Sequence, residues 1–556
     1  MLGFAQIRSI NELYRFDRLT TGGNRLRRPR DRDWPGRGRI DSYLGYSHSN
    51  RGNEISMRVT PSRREFLLRS TAAAALAAAG SALWACGGRN RVEPDDLTDL
   101  SAADAIAAMV RGDITAEDYA RALLDRSARL QALNAFRVLV PDAVLEAARA
   151  ADTRRASGAT LGALHGLPIP VKDSVNTARY ATSNGTAILR DFRPQSDAGV
   201  LRPLIDAGGY VMGKTNLHEL SLGWTSANAF GAVHNPYDTS RVPGGSSGGS
   251  AVAVAARMAP LAIAEDTLGS IRIPSTMCGI CGLRPTYGRY PGDGIMPLTT
   301  SGFDQVGPLA RTVEDLALFD SVVSGDSSPL PVVNLTGVRI GVADFFFADL
   351  DSEVDRVAQT ALDRLRDAGA VIVRAEVPDD VKAAPGAAFA INGFELHSAI
   401  GGFLAEQRME VSFDELVAQV GPNLRELFAA PVPSKEVYDA MVAQRQKTRD
   451  AIRAHFEHEN IAALAFPPAM IPAHKIEEDG SATIRGEHVP NITTMGRNVS
   501  LSSVASLASL VLPAGLTTSG LPVGLEFDAL PGTDRQLLGL GVSLQRALGS
   551  VQAPPV

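Results

Sequence analysis

Pro243-Gly-Gly-Ser246-Ser247-Gly-Gly-Ser250 runs without a break into Ala251-Val-Ala-Val-Ala-Ala-Arg-Met-Ala259, and that join decides how the rest of the chain reads. A Gly/Ser run standing alone is most simply a flexible linker. This one turns at once into an apolar, helix-like stretch, so it belongs to packed structure. It also lacks the Gly-Lys-Ser/Thr ending that a phosphate-cradling loop requires. Glycine lets the backbone take conformations closed to other residues and lets chains approach closely. Alternating glycines and serines around a turn can therefore aim hydroxyls and backbone N–H groups at one point.

Outward from that turn, two further segments carry polar groups in apolar settings. Downstream lies Asp266-Thr-Leu-Gly-Ser270-Ile-Arg-Ile-Pro274, and upstream Leu164-His-Gly-Leu-Pro-Ile-Pro-Val-Lys172-Asp173. A serine near neutral pH is a weak nucleophile and needs a base beside it. No histidine stands in a G-x-S-x-G elbow here, and no fitting Asp/His order accompanies one. A lysine can serve if burial keeps it neutral, because desolvation lowers its pKa from about 10.4. Lys172 follows the apolar run Leu167–Val171, a setting that would bury an amine. Taken alone, an apolar-flanked lysine reads as a surface residue with a snorkelling side chain.

From 101 to about 160 the spacing of Ala and Leu predicts helix, with Thr115-Ala-Glu-Asp118 as a capping-type start. Beyond 165, short apolar runs (167–171, 210–213, 261–264, 338–342, 371–377) alternate with helical stretches (198–207, 249–258, 352–368). That alternation predicts an α/β fold with a largely covered sheet. The charged stretch 435–458 reads as a solvated or capping helix. At 45% hydrophobic and 21% charged, the chain has ordinary globular composition, and 556 residues are ample for a sizeable core. Net charge is −6, and no basic face accompanies an aromatic platform, so nucleic acid is not expected as a partner. Cys86, Cys278 and Cys281 are too few for a disulfide scaffold or a Cys-rich metal site. Cys278-Gly-Ile-Cys281 has no further ligands in view and reads as small packing residues.

The blocks LHGLPIPVKD (164–173), MGKTNLHELS (212–221), NPYDTSRVPGGSSGGSAVAVA (235–255), DTLGSIRIP (266–274), CGLRPTYGR (281–289), DQVGPLARTVEDLAL (304–318) and VLPAGLTTSGLPVGLEF (511–527) resemble the amidase-signature family, densely and in order. The resemblance spans roughly residues 101–550. It implies an amidase-signature α/β fold, with a mixed, mostly parallel twisted sheet covered on both faces by helices. It also implies a serine hydrolase that cuts a carboxamide C–N bond through a covalent acyl-enzyme, without metal or cofactor. On the matching positions Ser270 looks like the nucleophile, Ser246 the bridging serine, typically preceded by a cis peptide, and Lys172 the base. The N–H groups of Thr267, Leu268, Gly269 and Ser270 look like the oxyanion hole. Ser247 and Asp266 look like supporting positions and Arg272 an orienting ion-pair partner. His165 and His218 fall inside family blocks and read as structural.

Two departures stand out. Leu268 occupies a position usually held by glycine and would strain the loop if φ there must be positive. Glu265 puts a charge where one is unusual, close to the catalytic loop. The substrate is expected to be a small-molecule amide; aryl amide, ester and carbamate remain open, as does the choice of acyl and amine groups. Phe345, Phe346, Phe347, Phe389, Phe394 and Phe403 read first as core, and as an apolar acyl pocket if some of them line the site. The competing classes are the A-type subunit of the glutamine-dependent tRNA amidotransferase, which shares these motifs, and a non-catalytic amidase-like binding module. The chain is expected to act as a monomer or homodimer.

The first hundred residues read differently. Residues 1–56 are rich in Arg, Gly and Asp without apolar periodicity, and are expected to be disordered or an upstream extension preceding a true start at Met57. Ser62-Arg63-Arg64-Glu65-Phe66-Leu67-Leu68, the apolar run Thr71–Ala85 and Leu83-Trp84-Ala85-Cys86 resemble a twin-arginine signal peptide ending in a lipobox. At about 15 residues the apolar run falls short of the roughly 20 that cross a bilayer. The resemblance implies an exported enzyme, periplasmic or bound to the cell envelope, with Cys86 as a lipid anchor. Trp84 departs from the small residue usual in a lipobox. Residues 57–86 are thus the expected signal, 87–100 a linker and 101–556 the catalytic domain.

Overall fold

A computed structural model describes residues 94–478 and 480–556. The extension 1–56, the expected signal 57–86 and Cys86 lie outside the described residues. The described chain begins with a short helix, Pro94–Asp99, inside the stretch expected to be a linker. Leu97 of that helix is buried in the apolar cluster built by the next two helices, so packed structure starts before residue 101.

The next two helices follow from their caps. Ser101 accepts a hydrogen bond from the Asp104 N–H to start Ala102–Arg111, and Thr115 accepts from the Asp118 N–H to start Ala116–Arg129. The helical reading of 101–160 is interrupted once. Asn134 adopts a left-handed conformation and donates to the carbonyls of Phe230, Gly231 and Ala232. The chain then runs extended as β1 (Phe136–Leu139) before helix Pro141–Ala156. Here the pairing partner, not the local pattern, decides the conformation.

The remaining strands are β2 (Pro168–Lys172), β3 (Tyr210–Thr215), β4 (Leu261–Asp266), β5 (Cys281–Arg284), β6 (Gln305–Ala310), β7 (Arg339–Val342), β8 (Val371–Arg374), β9 (Ala463–Phe466), the separate hairpin β10 (Ser481–Ile484) and β11 (Glu487–Pro490), then β12 (Ala508–Leu516) and β13 (Pro522–Ala529). All but the hairpin form one mixed sheet in the order β1-β3-β2-β4-β6-β5-β12-β13-β9-β7-β8. This is the expected α/β architecture. Parallel pairing is confined to β3-β2-β4 and β9-β7-β8, where helices intervene between strands. The steps between those groups are antiparallel, more of them than a mostly parallel sheet would carry. The reason is connectivity. β12 returns as β13 through a tight turn, and β5 reaches β6 without a crossover helix, so neither pair can run parallel.

β2, β4, β5, β6, β9 and β13 are buried along their whole length, which requires cover on both sheet faces. On one part of the sheet, helices Ser352–Asp367 and Asp534–Leu548 share an apolar cluster with β7, β12 and β13. On another, the N-terminal helices share one with β2 and β3. The charged helix Lys435–Glu459 is a covering helix, as expected. It lies along helix Ala384–Glu406 and buries Arg445, Thr448, Ile452, His455 and Phe456. Arg445 is tied to the carbonyls of Val504 and Ser301.

Candidate active site

Helix Gly248–Ala255 is buried over its full length and packs against β4 and helix Arg272–Cys278. The Gly/Ser turn that precedes it is therefore fixed at its downstream end. The close approach explains the glycines: a Cβ on Gly249 would lie 2.4 Å from both the Asn216 and Ala135 carbonyl oxygens. The Gly245–Ser246 peptide is cis, as the family resemblance implies. The Ser246 carbonyl accepts from the His218 N–H at 2.9 Å, which gives the buried His218 block a structural role.

Lys172 ends β2 with its side chain fully buried, so the snorkelling alternative does not hold. Its Nζ lies 2.6 Å from Ser246 Oγ and 2.6 Å from Glu265 Oε1. Burial pushes the amine below its ordinary pKa, and the Glu265 carboxylate opposes that shift. The two serine segments are stitched together by Ser247. Its N–H donates to the Ser270 carbonyl at 3.3 Å. Its Oγ donates to the Glu265 carbonyl at 3.1 Å and accepts from the Glu265 N–H at 3.4 Å. Ser270, 5% exposed, follows β4 and precedes helix Arg272–Cys278. No hydrogen bond joins Ser246 Oγ to Ser270 Oγ among the described residues.

Asp266 organises the loop that carries Ser270. Its carboxylate accepts from the N–H groups of Gly269 and Ile271, both at 2.9 Å, and is clamped by Arg272 (3.1 and 3.0 Å) and Arg284 (2.8 Å). Burial would raise its pKa, but the two guanidiniums hold the carboxyl well below the usual carboxylate range. Arg272 also reaches Glu526, Ser502, Ser503 and the Val499 carbonyl. Of the four N–H groups expected to form the oxyanion hole, that of Gly269 bonds Asp266. The N–H groups of Thr267, Leu268 and Ser270 make no hydrogen bond among the described residues. The positive φ of the loop falls on Gly269 (101°), not on Leu268, so leucine at 268 is unstrained.

Leu268 is buried in an apolar cluster with Phe303, Phe346, Phe466 and Leu501, against which Trp224, Phe345, Phe347 and Phe389 pack. Trp224 donates its indole N–H to the Leu268 carbonyl at 2.8 Å and meets Phe389 edge-on at 6.4 Å. Of the other phenylalanines, Phe346 stacks on Phe466, Phe394 stacks on Tyr438, and Phe403 packs in a separate cluster. Cys278 and Cys281 are buried free thiols whose pKa values burial pushes up, in keeping with packing residues.

Two charged residues around the site went unread in the sequence. Lys214 is a second fully buried lysine, brought down to about 8 by burial, but it faces Asp173 (3.5 Å), Thr182 and the Val175 carbonyl. Asp304 accepts from Thr267 Oγ1 at 2.7 Å and so braces the loop from the other side. The signal for both was available: each is a charged residue inside an otherwise apolar or glycine-bounded run.

The amidase family model matches residues 118–538. Mandelamide hydrolase of Pseudomonas putida is 34% identical over 83% of this chain and 94% of that protein. The A-type subunit of glutamyl-tRNA(Gln) amidotransferase from Chloroflexus aurantiacus is 36% identical over 81% of this chain and 97% of that protein. Among solved structures, native peptide amidase from Stenotrophomonas maltophilia superposes with a TM-score of 0.71 at 30% identity, covering 82% of this chain and 98% of that one. The chain belongs to the amidase family and is an enzyme that hydrolyses amide C–N bonds.

Proposed function

We propose that the chain hydrolyses a small carboxamide through an acyl-enzyme on Ser270, with Lys172 as base and Ser246 as proton bridge. The observation that carries this reading is the fully buried Lys172 amine 2.6 Å from Ser246 Oγ, on a turn tied through Ser247 to the Ser270 loop. Neutral Lys172 accepts the Ser246 proton as Ser246 Oγ accepts that of Ser270, and Ser270 Oγ attacks the carbonyl carbon. The Ser246-to-Ser270 contact closes when substrate is bound, as catalytic hydrogen bonds commonly tighten on binding. The N–H groups of Thr267, Leu268 and Ser270 face the developing oxyanion, each worth about 3 kcal/mol. The relay returns the proton to the leaving amine, and water then cleaves the acyl-enzyme by the same route.

An apolar or aromatic acyl group is favoured. Leu268, Trp224 and Phe389 border the nucleophile loop, and the similar Pseudomonas putida enzyme is named for mandelamide, an aryl-bearing amide. The test is a hydrolysis panel of aliphatic amides, aryl amides, anilides, esters and carbamates, with K172A as control. Aryl amides should be cleaved by the chain alone, with K172A inert. A requirement for a second protein chain would favour the amidotransferase reading. Failure of a fluorophosphonate probe to label the protein would favour a binding module.

The paired arginines Arg63-Arg64, the short apolar run and Cys86 support export to the cell envelope with a lipid anchor at Cys86. Full-length protein should fractionate with the envelope, and C86S should release it in soluble exported form. Retention of both in the cytosol would overturn the export reading.

A further inference from the structure

Glu265 is a buried carboxylate that the relay above leaves unused. It is the next-to-last residue of β4, its side chain is 3% exposed, and its Oε1 sits as close to Lys172 Nζ, at 2.6 Å, as Ser246 Oγ does. The amine is thus gripped from two sides. The Glu265 backbone is itself held by Ser247, which bonds both its N–H and its carbonyl, so the carboxylate and the bridging serine belong to one rigid unit. A carboxylate in that position restricts where Nζ can go. It also stabilises the ammonium over the free amine, which opposes the neutral state a base needs.

The other charges facing Lys172 are already engaged elsewhere. Asp266 is clamped by Arg272 and Arg284. Asp304 accepts from Thr267, Thr299 and the Leu298 and Thr299 N–H groups. Asp173, next in sequence, bonds Ser183 and faces Lys214. Glu265 is the carboxylate hydrogen-bonded to the amine.

We propose that Glu265 is a positioning residue for Lys172, holding the amine against Ser246. Its charge favours the ammonium, so base catalysis begins at a higher pH than it would without the carboxylate. The inference rests on Lys172 being the relay base. In the attack step the Ser270 proton passes to Ser246 Oγ and the Ser246 proton to Lys172 Nζ. The resulting ammonium is neutralised by Glu265 without any proton reaching the carboxylate.

The test is the rate of fluorophosphonate labelling of the full chain against pH, for wild type, E265Q and E265D, each checked for folding by thermal unfolding. E265Q should still be labelled at Ser270. Its acidic limb should lie about 1–3 pH units lower, the shift an adjacent opposite charge imposes, and its plateau rate should drop because a neutral amide oxygen holds Nζ less strongly than a carboxylate. E265D should fall between. Coincident limbs for wild type and E265Q, an alkaline displacement, or a folded E265Q unlabelled at every pH would each overturn the proposal. Should E265Q not fold, the E265D limb against wild type decides by the same criterion. The relay itself is tested separately: if S270A or K172A is labelled like wild type, the underlying reading fails. If both abolish labelling while E265Q leaves the limb in place, only the role of Glu265 does.

Discussion

Asp266 holds two buried guanidiniums and two backbone N–H groups with a single carboxylate. Replacing it with asparagine keeps the shape but leaves Arg272 and Arg284 short of a counter-charge. A buried ion pair adds little against a hydrophobic equivalent, yet breaking one side of it costs about 3–5 kcal/mol. D266N should therefore lose about that much stability in denaturant titration, and a change under about 1 kcal/mol would refute the clamp. The side chains of the proposed relay should behave differently, because a relay acts as a unit. S270A and K172A should each lower amide hydrolysis by at least about 10³-fold, and the double variant should fall no further. Additive losses in a kinetic comparison of the three would argue that the residues do not share one relay.

The element that matters most is the turn between β4 and helix Arg272–Cys278. Its geometry depends on Gly269, where φ is 101° and a Cβ would lie 2.9 Å from Val499 Cγ2. G269A should cost about 1–3 kcal/mol of backbone strain and displace the neighbouring N–H donors. Thermal unfolding and fluorophosphonate labelling should thus decline together. Leu268 sits beside that glycine with an unstrained backbone, so trimming it leaves the donors where they are. L268A should keep the labelling rate while lowering KM for bulkier acyl groups; an unchanged acyl preference would mean the leucine does not border the substrate. This element was half readable in advance. A glycine-bearing turn between an apolar run and a helix was plain, but which residue took the positive φ was not, because that depends on what packs above the loop.

Across the whole molecule, the loop that carries Ser270 is anchored to the C-terminal hairpin. Arg272 pairs with Glu526 at 2.8 Å, and Asp528 lies beside them with neither carboxylate oxygen hydrogen-bonded among the described residues. Burial, with the Glu526 charge next in strength, raises the Asp528 carboxyl well above the usual range, so a neutral side chain is favoured at this position. D528N should therefore change stability by less than about 1 kcal/mol, whereas E526Q should cost more by removing a partner of Arg272. Denaturant midpoints for the two variants check the contrast, and equal losses would contradict it. β12 sits next to β5 in the sheet with β13 beyond it, and both pack against helix Arg272–Cys278, so the C-terminal segment backs the loop that carries Ser270.

The sequence by itself determined the elements whose causes are local. Ser101 and Thr115 cap helices because their hydroxyls reach an N–H three residues on. The apolar runs of β2 and β4 and the Gly/Ser turn are likewise set by neighbours a few positions away. The family blocks carried the identities of Lys172, Ser246 and Ser270. Only the tertiary structure decided what those groups meet: Lys172 with Glu265 across 93 positions, Arg272 with Glu526 across 254, and the Gly269 N–H with the Asp266 carboxylate. It likewise turned 136–139 into a strand and the centre of the sheet antiparallel. A local preference acts over one turn of chain. A buried charge takes as its partner whichever opposite group the completed fold brings within about 3 Å, and no local pattern encodes that distance.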